Sequence, residues 1–388
     1  MFGVFLLHAA QHWRAYPSAL FAHPLALLLY LHLGWMIITT AMSPGIVVSV
    51  KFMLAKIWYV AAFFWVPLLF LRGPQTLRRM MWVVFWPLLF VAVQSIIRHS
   101  AYGFSFVDQY KTLSPFMRNH VAYAGMLAVF TPWVIYLWWG LPKANGWRKL
   151  RWVVLLFWLL AVYLSYTRAA YLALLMAGVS YFVVLRSLML PALLLTLAGA
   201  MGFGFYLLEN NRFLEYAPNF ETTVSFQRFD RLIEATYNLE DVSTMERVYR
   251  WVAGGQMISQ RPWLGWGPGN FSHFYRGYTV NNFRTYVSVN EDNSGIHSYY
   301  LMTLVEQGWL GLLFLLLLLG GILYYGQGAY HRVVDPARRA ALLAALLSMV
   351  VIYAISIIND LLETDKIGSF FFLNLAVLVV LAQWAEAE

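Results

Sequence analysis

HSYYLMTLVEQGWLGLLFLLLLLGGILYY, residues 297–325, passes from a polar start into more than twenty residues of nearly pure hydrocarbon. A helix needs about 20 apolar residues to cross a hydrocarbon core roughly 30 Å thick, and this run is long enough. It also sets one imidazole, His297, at the lip of the span. The rest of the chain repeats the pattern. Of its 388 residues 61% are hydrophobic and 12% charged, and the mean hydropathy of +0.61 lies far outside the range of a soluble domain. Apolar stretches recur, and the period-two alternation of a membrane barrel is absent. The expected fold is an all-α polytopic membrane protein of about 10–12 transmembrane helices with one large helix-containing loop.

Ten spans are expected, at roughly 17–40, 56–72, 80–97, 118–141, 152–167, 169–186, 189–208, 298–325, 340–358 and 368–385. The initial run MFGVFLLHAAQHWRAY is too short to span and lacks a basic start, which argues against a cleaved signal and for part of an interrupted helix. There is no cysteine, so disulfides and thiolate metal sites are excluded. The net charge of +9 suits anionic lipid head groups.

Arg72/Arg78/Arg79, Lys143/Arg148/Lys149/Arg151 and Arg332/Arg338/Arg339 are the short connections richest in cations, and the positive-inside rule assigns all three to the cytoplasm. Alternation then puts both termini inside. It places 41–55, 98–117, the turn 167–171, 209–296 and 359–366 on the outer face. Three parts follow: N-terminal transmembrane helices (1–208), a large outer loop (209–296) and C-terminal transmembrane helices (297–388). A connection of that length is generally functional or disordered, and its aromatic content and helix signals argue against disorder.

Within the loop, STMERVYRWVAGGQMISQRPWLGWGPGNF reads as a helix capped by Ser243 and Glu246, then a glycine-proline turn. Arg247, Arg250, Trp251 and Gly254 fall on one helical face. The loop's cations are all arginine: Arg212, Arg228, Arg231, Arg247, Arg250, Arg261, Arg276 and Arg284. A guanidinium matches phosphate oxygens two at a time, which favours an anionic ligand; the alternative is pairing with the loop's own Glu215, Glu221, Asp230, Glu234 and Glu240.

Five further charged or titratable positions lie at the membrane boundary. Arg168 sits at an outer turn between two spans, because the run from Trp152 to Leu185 is too long for one; it is either an anion ligand or an interfacial anchor. Lys51 and Lys56 flank the outer entrance to the second span against the orientation rule, as exceptions with a task or as anchors. Asp360 is the carboxylate to look for near them, unless it is a plain loop acid. His297 is a general-base candidate, against the reading of an interfacial histidine bonded to the loop.

A basic pocket at the outer boundary with a base beside it suits a lipid-linked diphosphate whose tail stays in the bilayer. Arginines would stabilise the charge developing on the leaving diphosphate, and His297 would deprotonate a hydroxyl attacking the anomeric carbon with inversion. The outer loops contain no Asp-x-Asp motif, so arginine is expected to replace a divalent cation.

At these residues the sequence resembles the O-antigen ligase family, within the group that also holds O-antigen polymerases and protein O-oligosaccharyltransferases. His297-Ser298, nine residues, then Gly308-Trp309-Leu310-Gly311 matches H-[N/S/Q]-x9-G-x-x-[G/T/V]. RVYRW and RPWLGWGPGNF resemble the family's R-x-x-x-W helix and P-x-x-G-x-G-P-G-x-F turn, and TRAAYLAL its S-R-G-A segment, with Thr167 for Ser and Ala169 for Gly. The resemblance implies a fold like that of GT-C glycosyltransferases. It implies glycan transfer from undecaprenyl diphosphate at the periplasmic face of the inner membrane, without metal, nucleotide or other cofactor. His297 would be the base, and Arg168 and Arg247 the diphosphate contacts. Arg250 joins them from helical spacing and Lys51 from its boundary position. Ser298, Asp360, Trp251 and Gly308 are supporting candidates.

A ligase with lipid A-core oligosaccharide as acceptor is the leading reading. A polymerase would use a second lipid-linked glycan, and the single large outer loop tilts against it. A lipid-linked glycan transporter should show repeated halves and mid-span charges, which are not evident. Membrane lipids are expected partners; nucleic acid is not.

Overall fold

The computed structural model describes residues 18–210, 212, 242–280 and 295–386. Eleven helices carry the architecture: α1 Pro24–Ala41, α2 Ile46–Phe70, α3 Pro74–Ser100, α4 His120–Trp139, α5 Arg151–Tyr163, α6 Arg168–Leu185, α7 Met189–Leu208, α8 Val242–Gln260, α9 Tyr299–Arg332, α10 Pro336–Ile358 and α11 Asp365–Glu386. Among the described residues nine helices are long and apolar enough to cross a membrane, all of these except α5 and α8. α5, with 13 residues, is shorter and runs between the two ends of the bundle. Its start lies beside Trp139, under the Arg151 guanidinium at 5.6 Å, and the turn beyond its end reaches Phe104 through the Tyr166 hydroxyl at 2.8 Å. The protein is an all-α polytopic membrane protein.

α4, α10 and α11 form the centre, and α7 the periphery: 83% of the apolar window of α4 is buried but 6% of that of α7. Small residues along α10 allow close approach, as lipid offers no hydrophobic drive for helices to associate. A polar chain crosses this core. Trp133 donates to Asn374 Oδ1 (3.0 Å), Asn374 Nδ2 to Ser348 Oγ (2.8 Å), and Ser348 to the Val129 carbonyl (2.8 Å). It joins α4, α10 and α11 and leaves no donor of the trio stranded in hydrocarbon.

α9 has 34 residues and is broken once, at Gly308, whose φ of 71° no helix contains. The break frees backbone groups, and the turn after α8 satisfies them. Trp266 N donates to Val305 O (3.0 Å), Gly267 N to Glu306 O (2.8 Å), and Trp309 N to Pro262 O (2.8 Å). The Trp35 indole takes Gln307 O at 2.9 Å. Irregular backbone at membrane depth is tolerated where protein meets it in this way.

The connections separate to two ends, as charge alternation requires. At one lie 42–45, 101–119, 164–167, the α8 region and 359–364, tied by contacts such as Asn270 to Ser43 (2.8 Å) and Arg247 to the Ile358 carbonyl (3.1 Å). At the other lie 71–73, 140–150, 186–188 and 333–335, where Arg78 meets the Leu137 carbonyl (3.2 Å) and Ser187 meets His331 (2.9 Å). This second end holds the arginine- and lysine-rich connections.

Two expectations need correction. The second span begins at Ile46, not near residue 56, so 41–55 is mostly helix and Lys51 and Lys56 lie inside α2 instead of before it. Two lysines lower the local hydropathy, yet Lys56 is accommodated because Glu363, far along the chain, holds it at 2.7 Å. α8 already includes Val242, ahead of the serine expected to cap it, and Glu246 pairs with Arg250 at 3.5 Å. The N-terminal run 1–17, Arg228, Arg231, Arg284, Glu215, Glu221, Asp230, Glu234 and Glu240 lie outside the described residues.

Candidate functional site

The segment Gly295–Tyr299 enters α9 with His297 in the left-handed region at φ 59°. That conformation is uncommon for a residue with a side chain, although histidine tolerates it better than most, and it persists only where neighbours hold it. Four contacts do so. Arg250 Nη1 donates to the Gly295 carbonyl at 2.8 Å and the Trp251 indole to the Ile296 carbonyl at 3.0 Å. The His297 backbone amide donates to the Asp360 carboxyl, and Tyr299 N donates to the Asn359 carbonyl at 3.2 Å. A Cβ at position 295 would lie 2.0 Å from Asp360 Oδ2, so Gly295 leaves room for the carboxyl to approach the segment. Ser298 then caps α9 by accepting from Leu301 N.

The imidazole meets Arg250. Nη1 lies 2.9 Å from His297 Nε2. A guanidinium has only donors, so Nε2 is the acceptor and the ring proton belongs on Nδ1. Burial pushes the imidazole pKa down to about 3, with the cations of Arg250 and Arg247 adding to the effect. Burial likewise raises the Asp360 carboxyl above the usual aspartate range, with Glu363 adding to it, against the lowering pull of Arg250 and of the amides it accepts from. One helix thus presents Arg247, Arg250 and Trp251 along a face that closes over residues 295–299.

Of the residues singled out in the sequence, His297, Arg250, Trp251 and Asp360 come together directly. Arg247 is adjacent, donating through Nε to the Ile358 carbonyl at the end of α10. Arg168, half-buried, starts α6, which packs along α10 and so opens on the same end. Gly308 stands further along α9 at the break, shaping the helix below the site. Lys51 is exposed on α2, away from the face bearing Ser49, Met53, Lys56 and Val60. The alternative of acid pairing holds for Arg212, which meets Glu209 at 3.3 Å, and in part for Arg250 through Glu246.

Sequence reasoning missed Glu306. This carboxylate is buried two turns into α9 and accepts from the amides of Gly269 (2.8 Å) and Phe271 (3.1 Å), clamping the glycine turn to the broken helix. A lone acid in a hydrocarbon run was the available signal. Glu363 was also missed. Its carboxylate receives Lys56 Nζ at 2.8 and 2.7 Å, so the turn that seats His297 is anchored to α2. Asn270, wholly buried, donates to Ser43 and Ser49, both at 2.8 Å, and joins the glycine turn after α8 to the start of α2. Among the described residues no cluster of three or more histidines and acids is arranged to hold a metal ion.

No curated protein matches the chain. A family model described as O-antigen ligase matches residues 152–316. The matched stretch runs from α5 to the part of α9 beyond Gly308 and contains Arg168, Arg247, Arg250, Trp251, His297 and Ser298. The likeness carried by the arginine helix, the glycine turn and the histidine segment therefore extends beyond those motifs: residues 152–316 of this membrane protein are similar to the O-antigen ligase family.

Proposed function

We propose that the protein is a glycosyltransferase that moves a glycan from undecaprenyl diphosphate onto a lipid A-core oligosaccharide, with the His297 end facing the periplasm from the bacterial inner membrane and the termini in the cytoplasm. The observation that carries this reading is the Arg250–His297 pair at 2.9 Å. It sets a neutral, accepting imidazole nitrogen against an anion-binding side chain on a face shared with Arg247.

Arg250 and Arg247 receive the diphosphate, with Arg168 and Lys51 available from the same side of the membrane. A diphosphate oxygen competes for a guanidinium better than an imidazole does, because both partners are charged and the contact is bidentate. As Arg250 turns to the diphosphate, His297 Nε2 is released. The acceptor hydroxyl oxygen then attacks the anomeric carbon while the bond from that carbon to the diphosphate breaks. The hydroxyl proton passes to Nε2, the electron pair leaves on the diphosphate, and the arginines stabilise it. Attack opposite the leaving group inverts the carbon. Asp360 and Trp251 hold the His297 backbone in register.

The test uses purified wild type and His297→Ala in detergent, with undecaprenyl-diphosphate-linked glycan as donor, lipid A-core as acceptor and EDTA present. Wild-type transfer, lowered by roughly 10²–10⁴-fold in the variant, is expected for loss of a general base. Equal transfer by the two proteins overturns the role of His297. Lengthening of the donor glycan with no product on lipid A-core overturns the ligase assignment in favour of a polymerase.

A further inference from the structure

At the end opposite His297, α3, the end of α4 and the connection after it enclose a cleft of about 190 Å³, lined by Trp82, Trp86, Trp138, Trp147, Leu141 and Asn145. Trp82 stacks on Trp86 with ring centres 5.8 Å apart and meets Trp138 edge-on at 5.6 Å. Trp86 and Trp147 form its open side. An aromatic belt is common at a membrane boundary. Two further observations set this cleft apart from one.

The first is a stranded donor. Trp133, Trp138, Trp158 and Trp266 are the buried tryptophans among the described residues. Three of them donate their indole N–H, to Asn374 and to the carbonyls of Leu127 and Met257. Trp138, at 3% exposure, is the one whose Nε1 has no acceptor. A buried polar group without a partner is costly, so its presence beside a cleft marks a place where an acceptor belongs.

The second is charge. The stretches 71–97 and 136–160 that build this end contain Arg72, Arg78, Arg79, Lys143, Arg148, Lys149 and Arg151 and no aspartate or glutamate. Arg78 and Arg151 are held at the rim, one by the Leu137 carbonyl (3.2 Å) and the other over the Trp139 ring (5.6 Å). Arg79 and Lys149 are exposed. Asp335, the acid that a neighbouring element brings towards Tyr136, is engaged with Arg338 at 3.7 Å and with the start of α10. Nothing in the two stretches matches the ammonium of a zwitterionic head group.

We propose that this cleft binds an anionic phospholipid of the adjacent leaflet. The phosphate sits among Arg79, Arg148 and Lys149, the glycerol and first acyl methylenes lie between Trp82, Trp86 and Trp147, and an ester carbonyl supplies the acceptor that Trp138 lacks. Anionic lipid is favoured by the unopposed cations, and the aromatic walls suit the amphipathic zone just below a head group.

The experiment is native mass spectrometry of the full-length protein released from micelles containing equal amounts of phosphatidylglycerol and phosphatidylcholine with matched acyl chains. Wild type should retain one phosphatidylglycerol in preference. Arg148→Gln with Lys149→Gln should lower that preference by about tenfold, from the loss of two interfacial charges, and Trp147→Ala should lower occupancy by the lipid. All three positions lie on the connection outside the core, and an unchanged gel-filtration profile verifies folding. Equal retention of the two lipids by wild type, or a preference that survives both variants, overturns the proposal.

Discussion

At the scale of one residue, the site turns on which atom His297 presents. Its Nε2 faces Arg250 at 2.9 Å, so the proposed base is masked while Arg250 holds it. With the imidazole held down to about 3 by burial and the two arginines, the acid limb of kcat/KM, which reports the free enzyme, should lie well below pH 6.5. Once a diphosphate draws Arg250 away and adds negative charge, protonation becomes easier, and the acid limb of kcat should sit at higher pH than that of kcat/KM. Superimposed limbs in a pH-rate series would show that Arg250 does not release the ring. The same shift has a stability consequence with a definite sign. The folded-state value is below the unfolded 6.5, so this group's contribution is full above pH 6.5 and is lost as the pH falls towards 3. His297 and Arg247 were legible from motif and spacing. That Arg250 is the one touching the imidazole was not, because helical spacing identifies a face but not what packs on it.

At the scale of an element, α9 is a broken helix repaired from outside. A methyl group at Gly308 would meet the Trp263 carbonyl at 2.1 Å, and its φ is +71°. Gly308→Ala should therefore destabilise the protein by about 1–3 kcal/mol or more and lower transfer as the 262–267 turn loses its seat. Gly320, in the same helix, has open space around it, so Gly320→Ala should leave the melting midpoint unchanged or raise it slightly, as alanine favours helix by about 0.5–1 kcal/mol. Thermal melts of the two variants in one detergent make the comparison; equal effects would remove the break from the explanation. The hydropathy of residues 297–325 signalled a span at once. It carried no sign of a break, since a glycine in hydrocarbon reads the same whether helical or not.

At the scale of the whole molecule, the end that holds His297 is assembled from both halves of the chain. Lys56 on α2 and Glu363 beyond α10 are joined at 2.7 Å, with Lys56 at 4% and Glu363 at 20% exposure. Phe52, Tyr299 and Phe372 rings surround the ammonium within 5.9 Å. Removing one partner of such a pair leaves an uncompensated charge, a cost of about 3–5 kcal/mol, whereas replacing both is often neutral. Lys56→Met should lower the melting midpoint markedly and slow transfer by loosening the turn that holds His297, and Lys56→Met with Glu363→Gln should recover most of the stability. A double variant no better than the single would mean that the pair is not what couples α2 to the turn.

The sequence alone determined that this is a helical membrane protein, where most of its spans fall, which connections share an end, and which histidine and arginines deserve notice. Those follow from hydropathy and charge summed over short windows, and from glycine, proline and histidine at fixed local spacing. The start of α2, the break in α9, the burial of Glu306 and the contacts between 56 and 363, 250 and 297, and 266 and 305 were decided only by the tertiary structure. A charge in an apolar stretch is admitted or expelled according to a partner far along the chain. No local window contains that partner.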